Sequence, residues 1–275
     1  MELDNNCFTR RCKKILQLAA TNNNGLILPH HLFMAACREG TGVCGELNAY
    51  LYKHLGSDYL HYIGGPGTEV KGAASTSILS KETSLVLEKA DEKRRYYRQM
   101  FINEGHLIES ILEIDDVMNE CLTKELKEGI IQIACVPRDL IVRLEDFKKK
   151  GDMVYKNTIR RAAFSDLGKL RRFIKMEFGE RWIKRIDNLS SGEQLPVFLA
   201  EEKGEIIGFA CFDMENKGMF GPMGTSSRKR LSSVGKELLH RSLLDMAERG
   251  YAYAVIEQAG PIEFYEKACG AKLIQ

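Results

Sequence analysis

The sequence predicts an α+β chain of two domains, an all-α double repeat over residues 1–150 followed by an α/β domain with a central mixed sheet over 151–275. Three observations predict it. Apolar residues in the first half recur at helical spacing, as in Ile15, Leu16, Leu18 and Ala19, then Leu32, Phe33, Ala35 and Ala36. That half also repeats itself, over about 5–60 and 78–147, so that Ile27 to Ala36 is echoed by Ile102 to Ile111. The second half alternates strand and helix patterns, and 275 residues exceed one typical domain.

Each repeat opens with a hydroxyl residue, Thr9 or Ser80, placed to cap its first helix. Gly64 to Gly67 and Gly72 to Ser77 read as a connection between the repeats. A domain boundary is expected near Lys148 to Asp152, where helical periodicity gives way to alternation. Beyond it, Asn157 to Ala163 reads as a strand. Asp166 caps a helix carrying Leu170, Phe173, Ile174 and Phe178, and a second helix covers Arg181 to Leu189. Pro196 to Ala200 and Ile206 to Phe212 form a hairpin around Glu202-Lys203-Gly204-Glu205. Then come a strand ending near Thr225, a helix from Ser233 to Arg249, a strand from Tyr251 to Ile256 and a short helix from Pro261 to Ala268, with proline suitably at its start.

Forty basic side chains nearly balance thirty-eight acidic ones, leaving a net charge of +2, which argues against a general nucleic-acid or membrane-surface binder. The eight cysteines show neither a C-x-x-C pair nor the spacing of a metal site, and no secretory signal precedes them. Reduced thiols, a cytoplasmic location and no metal are therefore expected. No apolar run approaches the length that spans a bilayer.

The segment Gly221 to Leu239 reads as a strand turning through a basic, small-residue loop into a long helix. Amides at a helix start lack partners and sit at the positive end of the helix dipole, so such a loop can cradle a pyrophosphate. Gly224 and Thr225 end the strand, and Arg228, Lys229 and Arg230 supply the charge.

The order of elements from 153 to 275, with Arg230-Leu231-Ser232-Ser233-Val234-Gly235 and Gly260 to Ala271, resembles the GNAT superfamily of acyl-CoA-dependent N-acyltransferases. The resemblance implies that acetyl-CoA is the co-substrate. Amides from Arg230 to Gly235 would hold its pyrophosphate, aided by Lys229, Arg230 and Lys236, with the thioester lying along Gly221 to Thr225. A splay between this strand and the next would admit the pantetheine arm. Tyr265 matches the residue that protonates the departing thiolate, and Glu257, at a strand end, is the best-placed general base, with Asp213 and Glu215 behind it. Glu177 to Gly192 would line the acceptor site. The family prefers glycine where Leu231 and Ser233 stand, which would weaken CoA binding. Many relatives also continue past the position of Gln275 into another strand, so the sheet edge is expected to be shortened or completed by a partner chain.

Residues 5–147 resemble the amino-terminal double-repeat domain of Clp-type unfoldases, a module that docks proteins. Phe8-Thr9-Arg10-Arg11-Cys12 and the pairs His31-Leu32 and His106-Leu107 carry the likeness. No G-x-x-x-x-G-K-[ST] occurs, which excludes the unfoldase itself. Where some relatives present a glutamate to phosphorylated arginine, this chain has His30 and Gly105, so an altered or lost ligand preference is expected. His31 and His106 read as structural histidines at helix starts. Together the two halves imply an acetyl-CoA-dependent N-acetyltransferase with a helical protein-docking module. The alternative is a non-catalytic adaptor or decoy of the Clp system with a degenerate acyltransferase fold.

Overall fold

Extended residues ahead of the helices tie the two repeats to each other. The first repeat folds as α1 (Arg10–Thr21), β1 (Leu26–Ile27), α2 (Pro29–Glu39), α3 (Gly42–Leu55) and α4 (Tyr59–Gly64). The second folds as β2 (Ile78–Leu79), α5 (Lys81–Tyr96), α6 (Glu104–Ile114), α7 (Asp116–Cys121) and α8 (Lys124–Ala134). β1 pairs with β2 in parallel, and Phe8, ahead of α1, bridges Ile102, ahead of α6. The pairing is reciprocal, because the lead-in to the first helix of each repeat binds the lead-in to the second helix of the other. The computed structural model describes residues 7–21, 25–64, 78–97, 99–148, 157–189, 195–229 and 233–274. Residues 65–77, which contain nearly all of the expected glycine-serine connection, lie outside them.

The caps follow the sequence. Thr9 Oγ1 accepts the Cys12 N–H at 3.1 Å, and Ser80 Oγ accepts the Thr83 N–H at 3.1 Å. His31 and His106 occupy the third positions of α2 and α6, where their Nδ1 atoms accept the N–H groups of Leu28 at 3.1 Å and Asn103 at 3.3 Å. Each histidine thus does what a capping-box glutamine does. Burial pushes both imidazoles down to about 4, with His30 adding to the shift at His31 and Lys93 and Arg94 at His106. Protonation would turn each acceptor nitrogen into a donor and break the cap.

A depressed folded-state pKa gives stability that is complete above the unfolded value and lost as pH falls towards the folded one. The helical unit should accordingly lose stability as pH falls between about pH 6.5 and pH 4, more through the buried His106 than through the partly exposed His31. Urea unfolding followed by far-ultraviolet circular dichroism should show the midpoint falling across that window. His106→Gln, which keeps the cap without the titration, should flatten the dependence.

Of the positions that read His30 and Gly105, the first is engaged with a carboxylate and the second has no room for a side chain. His30 Nδ1 lies 3.3 Å from Asp115 Oδ2, buried. A Cβ on Gly105 would sit 2.4 Å from the backbone oxygen of Ala134, so the approach of α8 to α6 excludes any side chain there. The neighbouring carboxylate, Glu104, accepts from Arg11 Nη1 at 2.6 Å in the interior.

The chain divides into two units at Val136 and Pro137, upstream of the expected boundary at 150. The second unit begins with β3 (Arg138–Arg143) and α9 (Glu145–Lys148), then β4 (Thr158–Arg161), α10 (Leu167–Phe178) and α11 (Ile183–Asp187). It continues with β5 (Val197–Glu202), β6 (Glu205–Phe212), β7 (Met219–Thr225), α12 (Val234–Glu248), β8 (Tyr253–Ala259), α13 (Ile262–Cys269) and β9 (Lys272–Leu273). Among the described residues, one seven-stranded mixed sheet runs in the order β4-β5-β6-β7-β8-β3-β9. The strand expected from a partner chain is therefore supplied by β3, from upstream. It pairs antiparallel with β8 through Leu140↔Ile256 to Arg143↔Tyr253, and with β9 through Leu140↔Leu273 and Ile141↔Lys272. Leu140 and Val142 are fully buried, and that burial fixes β3 in the second unit.

The two faces of the sheet carry different helices. Phe209 and Cys211 of β6 pack with Leu170 and Ile174 of α10 and Ile186 of α11. Phe220 of β7 faces the other way, its ring 6.5 Å from that of Tyr265 on α13.

Candidate active site

The parallel pair at the centre of the sheet opens after two rungs. β7 and β8 pair at Met219↔Val255 and Phe220↔Ile256, and no later rung joins them among the described residues. Beside that point each strand carries a bulge against its other neighbour. Gly221 and Pro222 both lie opposite Cys211, and Glu257 and Gln258 both lie opposite Asp139. A bulge bends its strand and raises its twist, so one on each side drives the two strands apart. Pro222 has no N–H to give a ladder, which suits a strand that has left its partner.

The backbone of β7 is sealed on one side by aromatic rings. A Cβ on Gly224 would fall 2.4 Å from Cζ of Phe178, so glycine is what lets that ring lie on the strand. Trp182, the single tryptophan of the chain, sits 5.0 Å from Phe178 and 5.9 Å from Phe209 between ring centroids.

Beyond Thr225 the loop makes one 3-10 turn over Ser227–Lys229, and α12 begins at Val234. Arg230, Leu231 and Ser232, the first half of the expected pyrophosphate motif, lie outside the described residues. The loop is anchored from α10. Glu177, at the start of the stretch expected to line the acceptor site, accepts the Ser226 hydroxyl at 2.7 Å and the Ser227 N–H at 2.9 Å. Lys229 pairs with Glu202 at 2.7 Å on the surface, where solvent weakens such a bridge. Lys236 is exposed on the first turn of α12.

Ser233 has φ −68° and ψ −7°, so this position makes no demand for glycine on backbone grounds. Its hydroxyl donates to Glu237 and accepts from Asn157 Nδ2 at 3.2 Å, and the Asn157 N–H donates to the same carboxylate at 3.1 Å. The serine side chain is thereby held towards Asn157. Gly235 stands clear of its neighbours, since a Cβ there would meet Thr225 Cγ2 at 3.6 Å and Phe264 Cζ at 3.9 Å, ordinary contacts.

Tyr265 and Glu257 lie on opposite faces of the opening. Tyr265 is 7% exposed, with Phe264 at 5.0 Å and Phe220, the last paired residue of β7, on its other side. Burial, with a contribution from Cys269, raises its phenol above the usual tyrosine value, which keeps the proton on oxygen. Glu257 is the first residue of β8 beyond the last rung, and Arg185 of α11 grips both of its oxygens, at 2.8 and 3.2 Å. The same guanidinium reaches Glu215 at 2.9 Å, and its hydrogen bonds to Glu257 raise it above the ordinary arginine value. Asp213 is committed to a turn, accepting the Gly218 N–H at 2.7 Å and the Tyr251 hydroxyl at 3.0 Å.

The contacts of Glu177, Arg185 and Asn157 could not be read from the motifs. Their partners, at Ser226, Glu257 and Ser233, are distant in sequence, and no local pattern marks the pairs. Among the described residues, no group of His, Cys, Asp and Glu could hold a metal ion, and no helix is long and apolar enough to cross a membrane.

A mixed sheet that opens between its central parallel strands, with a small-residue loop running from one of them to a helix start, defines an acyltransferase fold. Residues 165–271 match the family described as Acetyltransferase (GNAT) family, so the second unit carries a GNAT domain. A search of curated proteins finds no match. Among solved structures, the chain is similar to a GCN5-related N-acetyltransferase from Sphaerobacter thermophilus, at 16% identity and a TM-score of 0.40 over 61% of this chain and 64% of that one. It is also similar to the GNAT family N-acetyltransferase YhbS from Escherichia coli in complex with CoA, at 16% identity and a TM-score of 0.31 over 36% of this chain and 61% of that one. A third similar structure is the N-terminal domain of the ClpV1 ATPase from Escherichia coli, at 16% identity and a TM-score of 0.34 over 46% of this chain and 77% of that one. The chain spans 22%, 61% and 64% of the first three structures it matches, less than two thirds of each.

Proposed function

We propose that the chain is an acetyl-CoA-dependent N-acetyltransferase whose helical unit docks a protein substrate or partner. The observation that carries this reading is the opening between β7 and β8 after Phe220 and Ile256, with Tyr265 packed on Phe220 on one face and Glu257 held by Arg185 on the other. The pantetheine arm would pair with the β7 backbone that β8 leaves unpaired, and its pyrophosphate would meet the amides between Arg230 and Gly235, with Lys229, Arg230 and Lys236 nearby. A neutral amine then attacks the thioester carbonyl. The C–N bond forms, the C–S bond breaks, and Tyr265 gives its proton to the departing thiolate. The proton lost by the amine passes to water or to Glu257.

Calorimetric titration of the folded chain with acetyl-CoA, followed by a screen of amine and protein acceptors at saturating acetyl-CoA, tests the reading. Binding with turnover is expected. Absence of heat at millimolar acetyl-CoA would overturn it, and binding to a Clp unfoldase without turnover would favour the adaptor.

Gly235→Ala separates a glycine needed by the fold from one needed by the ligand. Ala should stabilise the first turn of α12 by about 0.4–1 kcal/mol, because the space is there and alanine has the better helix propensity. Affinity for CoA should fall about tenfold if the pyrophosphate packs on this backbone, a loss near 1.4 kcal/mol. Thermal melting and titration of the same sample read both effects.

A further inference from the structure

We propose that Asp139, on the upstream strand β3, is a positioning residue that keeps the β8 bulge in place and with it the working geometry of the β7–β8 opening. The proposal rests on the acetyltransferase reading. Asp139 stands alone opposite two residues of β8, Glu257 and Gln258. Its Oδ1 accepts the Gln258 N–H at 2.8 Å, and its backbone oxygen accepts the Ile274 N–H at 3.1 Å. Gln258 has φ +45°, a left-handed conformation unfavourable for a residue with a Cβ. Such a conformation persists only where its surroundings impose it. Here a side-chain carboxylate meets the amide that the bulge takes out of the ladder, and regular pairing resumes on both sides, at Arg138↔Ala259 and Leu140↔Ile256.

The bulge sets the course of β8 beyond Ile256. A bulge bends its strand and raises its twist, so the chain leaves the line of β7 at the point where pairing with β7 ends. Glu257, the first residue of the bend, reaches Arg185 on the α11 face, while Ile256 is buried on the other. Without the bulge, β8 straightens towards β7 and the backbone that carries Glu257 moves with it. An open cleft of about 400 Å³ lies against this bulge, lined by Pro137, Arg138, Asp139, Glu257, Gln258 and Ile274. The strand that completes the sheet thus also holds the bulged end of β8.

Asp139→Ala and Asp139→Asn, made in the full chain, test this, because the asparagine oxygen can still accept the Gln258 N–H. In Asp139→Ala, amide hydrogen exchange at Gln258 should quicken about tenfold, the loss of one hydrogen bond. Turnover number should fall about as much, with acetyl-CoA affinity within about twofold of wild type. Asp139→Asn should stay close to wild type in both. Unchanged exchange at Gln258 in Asp139→Ala overturns the proposal, as does quickened exchange with undiminished turnover, or an asparagine variant no better than alanine. A wild-type chain that neither binds nor consumes acetyl-CoA overturns the acetyltransferase reading itself and is recognised without any variant.

Discussion

A fragment of residues 137–275 should fold cooperatively, whereas one of residues 151–275 should not. The shorter fragment starts where helical periodicity ends in the sequence but lacks β3 and α9. With them go four buried side chains, Leu140, Val142, Leu144 and Phe147. At about 1.5–3 kcal/mol each, their burial amounts to about 6–12 kcal/mol, the size of the whole stability of a small domain. Loss of β3 would also leave β8 as an open edge next to the parallel pair, a template for aggregation. Fluorescence of Trp182 and size-exclusion chromatography distinguish the outcomes. The 137–275 fragment should elute as a folded species with a single unfolding transition, and the 151–275 fragment as aggregate. A well-folded 151–275 fragment would mean that the sheet closes without its upstream strand.

Tyr265→Phe should lower the turnover number about a hundredfold, the lower end of what a positioned acid supplies, while leaving acetyl-CoA affinity nearly unchanged. Phenylalanine fills the same space against Phe220 and Phe264, so the fold should tolerate the change. Because burial raises the phenol, the wild-type rate should show no falling limb from tyrosine ionisation up to pH 10. Steady-state kinetics across pH 6–10 test both points. Turnover equal to that of wild type would remove Tyr265 from the proton path.

What the sequence made legible, and what it hid, divides by range. The capping histidines could be read because a cap is a three-residue event, with both groups inside one turn. The elements from β4 to α13 could be read in order for the same reason, since period and turn residues are local signals. β3 could not. Arg138 to Arg143 alternates in a six-residue stretch with no turn signal tying it to the elements after it, and its partner β8 lies more than a hundred residues downstream. The candidate site shows the same split. Gly224, Lys229, Ser233, Gly235 and Tyr265 could be named as candidates from motifs, whereas the contacts of Glu177, Arg185 and Asp139 exist only after folding. The space beside Gly105, closed by the Ala134 carbonyl, likewise has no sequence signature.

The position of β3 also sets an order of events during synthesis. Leu140 leaves the ribosome while Ile256, its partner, is still to be made. At ordinary rates of elongation the wait is roughly 5–20 s, long compared with the microseconds to milliseconds in which helices and local contacts form. Through that interval the helical repeats can complete their reciprocal pairing, while Leu140 and Val142 remain uncovered. This sheet is therefore the last part of the chain to close, since β3 waits for β8 and then for β9. A cell short of chaperone capacity should lose this domain before it loses the helical one.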